Sequence, residues 1–343
     1  MWLSTQRILS LRRKNSSAWR KITERFILSL VALAAMAVAG NSSYDAAVNL
    51  GSSPPGSIYL VDGHKMRIDC MGSGSPTIVL DAGLGNDGLI WSRVQSVLAK
   101  TTRVCSYDRA GFGWSDPLPP PRDADHIASE LHSLLMAAKV DGSIVLMGHS
   151  IAGLYIRDYA SRYPASIAGL IFVDGSAPPP SENSAIKGND VRRPSLGIET
   201  ISEKGAFYVG FPRLFGACPG SFPGFALRSA MLQLEGLCHE HFEAYASESE
   251  NFDRSSTEVL HADSYGTLPV LIFSRYTTDR AWNQKQEDLK KLSTRSYRII
   301  ARNSGHYIQL DRPELIEKGV QMFIDEIQGT ASKPTDYGWT STQ

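Results

Sequence analysis

The chain lacks net charge: 35 lysines and arginines stand against 35 aspartates and glutamates in 343 residues. That balance removes the global basic signature of a nucleic-acid binder. Cysteine is scarce, at four residues, and no C-x-x-C pair occurs, so thioredoxin-type redox chemistry has no support. No internal repeat is evident. The apolar run Phe26 to Ala39 has 14 residues, short of the roughly 20 a spanning helix needs. What is present is ordinary: 42% hydrophobic residues and 9% aromatics exclude wholesale disorder. The length permits one large α/β domain or two smaller ones.

The zero charge is a cancellation. Residues 1–39 hold seven basic residues, from Arg7 to Arg25, against the single acid Glu24, which leaves 28 basic and 34 acidic residues in the remainder. A basic stretch, an apolar run and small residues at Ala37 and Ala39 read as a secretory signal peptide, with a retained membrane anchor as the alternative. Export to the periplasm or beyond is therefore expected, with membrane association possible through residues 1–39. Residues 40–56 are polar and rich in Gly and Pro, as a linker is. The four cysteines, Cys70, Cys105, Cys218 and Cys238, all follow the apolar run. In an oxidising compartment they allow three pairings; Cys218 with Cys238 would close a short local loop, and buried free thiols are equally compatible.

From residue 57 to about 327 the pattern is strand–helix alternation. Short β-rich runs lie at Ser57–Asp62, Met66–Cys70, Thr77–Leu80, Arg103–Tyr107, Ser143–Met147, Ile167–Val173, Pro269–Phe273 and Tyr297–Ala301. Several are continuously apolar, as strands covered on both faces are. Ile127, Leu131, Leu134, Leu135 and Ala138 mark one helix by spacing, and Ile151, Leu154, Tyr155 and Tyr159 mark another. Asp311-Arg312-Pro313-Glu314 resembles a helix start, with Asp311 as cap. Between about 175 and 267 the alternation stops. An insertion of that size after the sixth run reads as a lid over a site. Residues 328–343 read as a frayed tail.

The sharpest motif is Gly148-His149-Ser150-Ile151-Ala152-Gly153, which follows an apolar strand and opens an amphipathic helix. Small residues two before and two after the serine let it occupy a strained turn that projects its hydroxyl. A serine hydroxyl needs a base to accept its proton. Among eight histidines, His126 and His132 fall on a helix edge and His149 belongs to the turn. Cys238, His239 and His241 invite a metal reading, but i, i+2 spacing on a helix does not bring side chains to one face. No metal site is expected. His306 lies right after the last β-run and before a helix, at the same sheet end as Ser150, and is the expected base.

Leu80-Asp-Ala-Gly-Leu-Gly85, Tyr107-Asp-Arg-Ala-Gly-Phe-Gly-Trp-Ser-Asp116, Gly148-His-Ser-Ile-Ala-Gly153 and Ser304-Gly-His-Tyr-Ile-Gln-Leu-Asp-Arg-Pro313 occur in that order. Together they resemble the α/β-hydrolase superfamily, in its branch of esterases, haloalkane dehalogenases, epoxide hydrolases and proline-iminopeptidase-like enzymes. The resemblance implies an α/β-hydrolase fold: a mostly parallel eight-stranded sheet flanked by helices, with a helical lid after the sixth strand. It implies Ser150 as nucleophile, His306 as base, and the amides of Ile151 and Leu84 as oxyanion hole. The loop at Asp81-Ala82-Gly83 departs from the family's usual His-Gly pair, and Ala152 from its commoner glycine. Asp108 and Arg109 match a structural strand-end motif.

The family places its orienting acid after either of two strands. Asp174 sits directly at a strand end, which holds a side chain more firmly than a loop, and is preferred. Asp279 is the alternative, one residue later than the common spacing, and Asp263 a distant third. Dehalogenases and epoxide hydrolases of this fold attack with a carboxylate, so a serine favours an acyl-enzyme route. The expected activity is that of a carboxylesterase on a small or apolar ester or amide, without metal or organic cofactor. An iminopeptidase-like aminopeptidase is the second reading; it would need acids such as Glu235, Glu240, Glu243, Glu248 and Glu250 to hold an ammonium, although they could equally form a solvated face. A non-catalytic binding protein of the same fold is the third. Lid aromatics Phe207, Tyr208, Phe211, Phe215, Phe222 and Phe225 would line an apolar pocket or bury the lid on itself. The oligomeric state is not readable.

Overall fold

A computed structural model describes residues 2–49, 54–178, 241–261 and 264–330. Helix α1 (Trp2–Asn49) precedes the sheet, whose strands are β1 (Ser57–Val61), β2 (His64–Met71), β3 (Thr77–Asp81), β4 (Val104–Tyr107), β5 (Ile144–His149), β6 (Ile167–Val173), β7 (Val270–Arg275) and β8 (Ser296–Ala301). Their spatial order is β1-β2-β4-β3-β5-β6-β7-β8. β1 and β2 run antiparallel at one edge, and every pairing from β4 across to β8 is parallel. Each of the eight β-rich runs is a strand, displaced by at most a few residues. All five residues of β3 and all six of β5 are buried, because parallel strands need helices on both faces to cover them.

The helices after α1 are α2 (Ser92–Leu98), α3 (Ala124–Ala137), α4 (Ala152–Arg162), α5 (His241–Glu250), α6 (Phe252–Glu258), α7 (Arg280–Lys290), α8 (Ile308–Asp311) and α9 (Pro313–Ile327). Alternation along each strand divides the core in two. Val79, Leu146, Leu170 and Phe172 point toward Leu131, Leu134, Ile156 and Leu289, from α3, α4 and α7. Ile78, Leu80, Val145, Met147 and Ile171 point the other way, toward Val94, Leu98, Ile316, Val320 and Phe323, from α2 and α9. The chain leaves β3 through α2 on one face and leaves β5 through α4 on the other. β3 and β5 are neighbours, so the exits diverge and open a crevice at their carboxyl ends, the position where open α/β sheets bind ligands.

Three local features bear on the expectations. The polar residues after Gly40 continue α1 to Asn49, so much of the expected linker is helical. Within α1, Trp19–Gly40 is a 22-residue stretch of mean hydropathy 1.8 with none of it buried. By length and composition it is able to cross a membrane, a test that a signal sequence also passes. Asp311 does not cap α9. It ends α8, and its carboxylate accepts the Gly305 amide at 2.8 Å, clamping the loop that carries His306; Arg312 occupies the cap without a side-chain bond. Cys70 and Cys105, directly opposite one another on β2 and β4, form a disulfide. Cys218 and Cys238 lie outside the described residues, as do the six lid aromatics and Asp263.

Candidate active site

Ser150 follows β5 at a backbone φ of 55°, a left-handed conformation that costs a non-glycine residue about 1–3 kcal/mol and persists only where the surroundings impose it. Its carbonyl accepts the Gly153 amide at 2.9 Å and the Ser176 amide at 2.7 Å, while its own amide donates to Val173 at 3.2 Å. The turn is thus tied both to α4 and to the chain leaving β6. Gly148 is required by space: a Cβ there would stand 2.8 Å from the Ala152 carbonyl oxygen. Ala152 itself fits, fully buried. Because the obstacle at Gly148 is backbone, Gly148→Val should lower stability by about 1–3 kcal/mol and displace Ser150. Thermal unfolding measures the first effect and the rate of fluorophosphonate labelling the second.

Ser150 donates its hydroxyl to His306 Nε2 at 2.8 Å, and His306 Nδ1 donates to Asp174 Oδ2 at 2.7 Å, with the tautomer assigned from this network. Asp174 directly follows β6 at φ 45° and is buried. Asp279 is placed elsewhere. It caps α7, its Oδ1 accepting the amides of Ala281 at 2.9 Å and Trp282 at 3.1 Å.

Two partners of Asp174 had no sequence signal, because nothing local marks a residue as facing a carboxylate contributed from another strand. The Arg275 amide and the Trp282 indole donate to Asp174 Oδ1 at 3.1 and 2.9 Å. The Arg275 guanidinium pairs with Oδ2 and stacks over Trp282, 4.4 Å from the ring centroid. Burial pushes the Asp174 carboxyl up, but the hydrogen bonds from His306 and the Arg275 amide and the Arg275 charge outweigh it and hold the group below the ordinary carboxylate range.

His149 is buried, and its Nε2 donates to the His306 carbonyl at 3.0 Å. Burial first, and then the neighbouring His306, lower His149 to about 3, so it remains neutral and serves as a strut for the His306 loop. Its Nδ1 lies against Gly83, where a Cβ would approach to 2.6 Å. The loop after β3 therefore packs directly on the serine turn. Among the described residues no hydrogen-bond acceptor takes the amides of Leu84 or Ile151, the two donors expected to receive an oxyanion.

Glu248 departs from the expectation of a solvated or ammonium-binding acid: it is fully buried on α5 and paired with Arg109. Glu243 and Glu250 are exposed, while Glu235 and Glu240 lie outside the described residues. His241 opens α5, Cys238 and His239 are not described, and the described residues contain no His, Cys, Asp and Glu group able to hold a metal. His126 is half exposed on α3, and His132 stacks on Tyr163 with centroids 3.8 Å apart.

The sheet order, the strand-end position of the serine turn and the divergent exits of β3 and β5 define an α/β hydrolase. The profile of the alpha/beta hydrolase family matches residues 78–318, and the chain belongs to that family. A Schizosaccharomyces pombe protein of no stated activity is 26% identical over 328 residues, covering 80% of this chain and 56% of that protein. A candidate carbamate hydrolase of Escherichia coli O103:H2 is 36% identical over 102 residues, 29% of this chain and 38% of that protein. This chain therefore spans little more than half of the first relative and less of the second. A thermophilic esterase from Thermogutta terrifontis shares the fold, with a TM-score of 0.59 at 19% identity over 79% of this chain and 98% of that one. The likeness to the esterase, at 19% identity, shows the fold alone.

Proposed function

We propose that the protein is a serine carboxylesterase that works through an acyl-enzyme on small or apolar esters, exported or held at a membrane by its N-terminal segment. One observation carries the reading: the continuous hydrogen-bond chain Ser150–His306–Asp174 at the carboxyl ends of β5, β8 and β6. In the reaction His306 Nε2 takes the serine proton as Ser150 Oγ attacks the ester carbonyl. The Nδ1–H bond to Asp174 holds the required tautomer and stabilises the imidazolium. Charge developing on the carbonyl oxygen meets the amides of Ile151, at the positive end of α4, and Leu84. His306 then returns the proton to the leaving alkoxide. Water repeats the sequence on the acyl-enzyme and frees Ser150. The route calls on no metal or organic cofactor.

An ester is favoured over a substrate with a free amine because Glu248, an acid that could have met an ammonium, is committed to Arg109. Export is supported by the basic flank and apolar stretch of α1, and by a disulfide in the domain that follows, since such bonds persist in oxidising compartments. The test uses full-length protein in detergent, a fluorophosphonate probe, and p-nitrophenyl esters against proline and alanine arylamides. Labelling of wild type, none of Ser150→Ala, and turnover of the esters alone are expected. Wild-type protein that resists the probe would overturn the serine mechanism; arylamide turnover would overturn the ester assignment.

A further inference from the structure

The guanidinium of Arg109 is buried among three parts of the chain that are remote in sequence. Nη1 donates to Asp81 Oδ1 at 2.7 Å and to the Ala82 carbonyl at 2.5 Å. Nη2 donates to the Gly83 carbonyl at 3.0 Å and to Glu248 Oε2 at 2.9 Å, and Nε to Glu248 Oε1 at 2.8 Å. These five bonds match all five donors of an arginine. Its planar group lies 5.2 Å from the Phe112 ring centroid and 5.3 Å from that of Tyr155, and the residue is buried. Burial alone would lower Arg109, but Glu248 and Asp81 hold it well above its ordinary value, and it stays charged.

Such a cluster is a weak device for stability, because desolvating three ionised groups offsets much of their attraction. Its geometry has a more specific result. In a trans peptide the carbonyl and the following N–H point in opposite directions in one plane. Fixing the Gly83 carbonyl therefore fixes the direction of the Leu84 N–H. Arg109 grips that carbonyl and the one before it, while the Asn86 amide supports the Gly83 oxygen from the far side of the turn at 3.2 Å. Glu248 in turn binds Arg109 through two parallel bonds, the arrangement that best holds a guanidinium in one plane. The helix carrying Glu248 also touches this loop directly, since a Cβ on Gly85 would stand 3.0 Å from Tyr245; it touches the loop after β4 as well, where a Cβ on Gly111 would stand 2.7 Å from Ala244.

We propose that Arg109 is a positioning residue that aims the Leu84 N–H into the oxyanion hole, and that Glu248 holds Arg109 in the orientation that does so. Packing of α5 against the loop after β3 is thereby coupled to transition-state stabilisation. This rests on the serine-esterase reading and extends it to residues that never touch substrate. Lysine is no substitute, because its point charge cannot bind a carboxylate and two carbonyls in one plane.

The experiment compares full-length wild type, Arg109→Lys and Glu248→Gln by kcat and KM on p-nitrophenyl butyrate, by affinity for an aryl trifluoromethyl ketone, and by thermal unfolding. The ketone forms a tetrahedral adduct whose oxygen occupies the oxyanion hole. Loss of an oxyanion donor costs ~10²–10³ in kcat; a misaimed one should cost about 10–100-fold in Arg109→Lys and about 3–10-fold in Glu248→Gln. KM should stay within about twofold, and ketone affinity should fall in parallel with kcat. Folded variants with wild-type kcat and ketone affinity, whatever their melting temperature, would overturn the proposal and leave the cluster merely structural. If Arg109→Lys does not fold, the nearly isosteric Glu248→Gln decides by the same criteria. Failure of wild type to label with fluorophosphonate is a separate result that removes the serine-esterase reading itself.

Discussion

Asp174→Asn should lower kcat by about 10⁴-fold while leaving the fold intact, the size of effect seen when a triad acid becomes an amide. The reason lies in what surrounds the carboxylate. Oδ2 accepts from His306 and Arg275, and Oδ1 from the Arg275 amide and the Trp282 indole. All four partners are donors, so an amide must set its NH2 group against two of them whichever way it flips. Placed toward His306, the amide forces the tautomer in which Nε2 carries the proton and cannot accept that of Ser150. Placed the other way, it breaks the bonds that hold the side chain at the end of β6.

Asp279→Ala provides the contrast. It should keep activity within about twofold and lose ~1 kcal/mol, as a helix does on losing its cap. Steady-state rates on one ester, with circular dichroism to verify folding, check both variants. Collapse of activity in Asp279→Ala alone would reassign the acid.

Asp174 also has a pH signature. A carboxyl held below its unfolded value of 3.8 stabilises the native state fully above that value, and the contribution is lost as pH falls through the folded one. The stability gap between wild type and Asp174→Asn should accordingly be widest near neutrality and narrow below about pH 4. Urea unfolding across pH 3–7, a window set to bracket roughly those values, measures it.

Removing the Cys70–Cys105 bond should cost roughly 4 kcal/mol in the chain-entropy account of a loop this long. The bond closes 35 residues and joins β2 to β4, and β4 leads directly to Asp108 and Arg109. Asp108 in turn accepts from Arg67 on β2 at 3.0 Å and from the Gly88 amide at 2.8 Å. Loosening this edge should therefore be felt at the loop after β3. Thermal unfolding with and without dithiothreitol should show a large reducible component in wild type. None of it should remain in a Cys70→Ala, Cys105→Ala double variant. Protein made in a reducing cytosol should resemble that variant. An unfolding temperature indifferent to reductant would show that the bond contributes nothing.

Several parts of the molecule were legible because they depend on neighbours along the chain. A short β-rich run such as Thr77–Leu80 suits a strand covered on both faces. The small residues Gly148 and Ala152 on either side of Ser150 announce a tight strand-to-helix turn. A histidine between the last strand and the last helix falls at the carboxyl edge of the sheet. The misreading of Asp311 shows the limit of this logic: the sequence around it satisfies a cap pattern, yet its carboxylate finds the Gly305 amide instead. Local rules rank local partners and are blind to those brought by folding.

What the sequence by itself determined was therefore the alternation of strands and helices, the family, and the pairing of a turn serine with a late histidine. The tertiary structure decided which carboxylate meets His306. Asp174 and Asp279 are both acids beyond a strand, and only the register of β6 beside β7 brings one to the imidazole while the other caps a helix. It also decided that Cys70 faces Cys105, that Arg275 and Trp282 close around Asp174, and that Glu248, 139 residues from Arg109, is a buried counter-ion and not a surface charge. Each is a contact between segments far apart in the chain. Its free energy depends on distance and desolvation in three dimensions, which residue type and spacing do not encode.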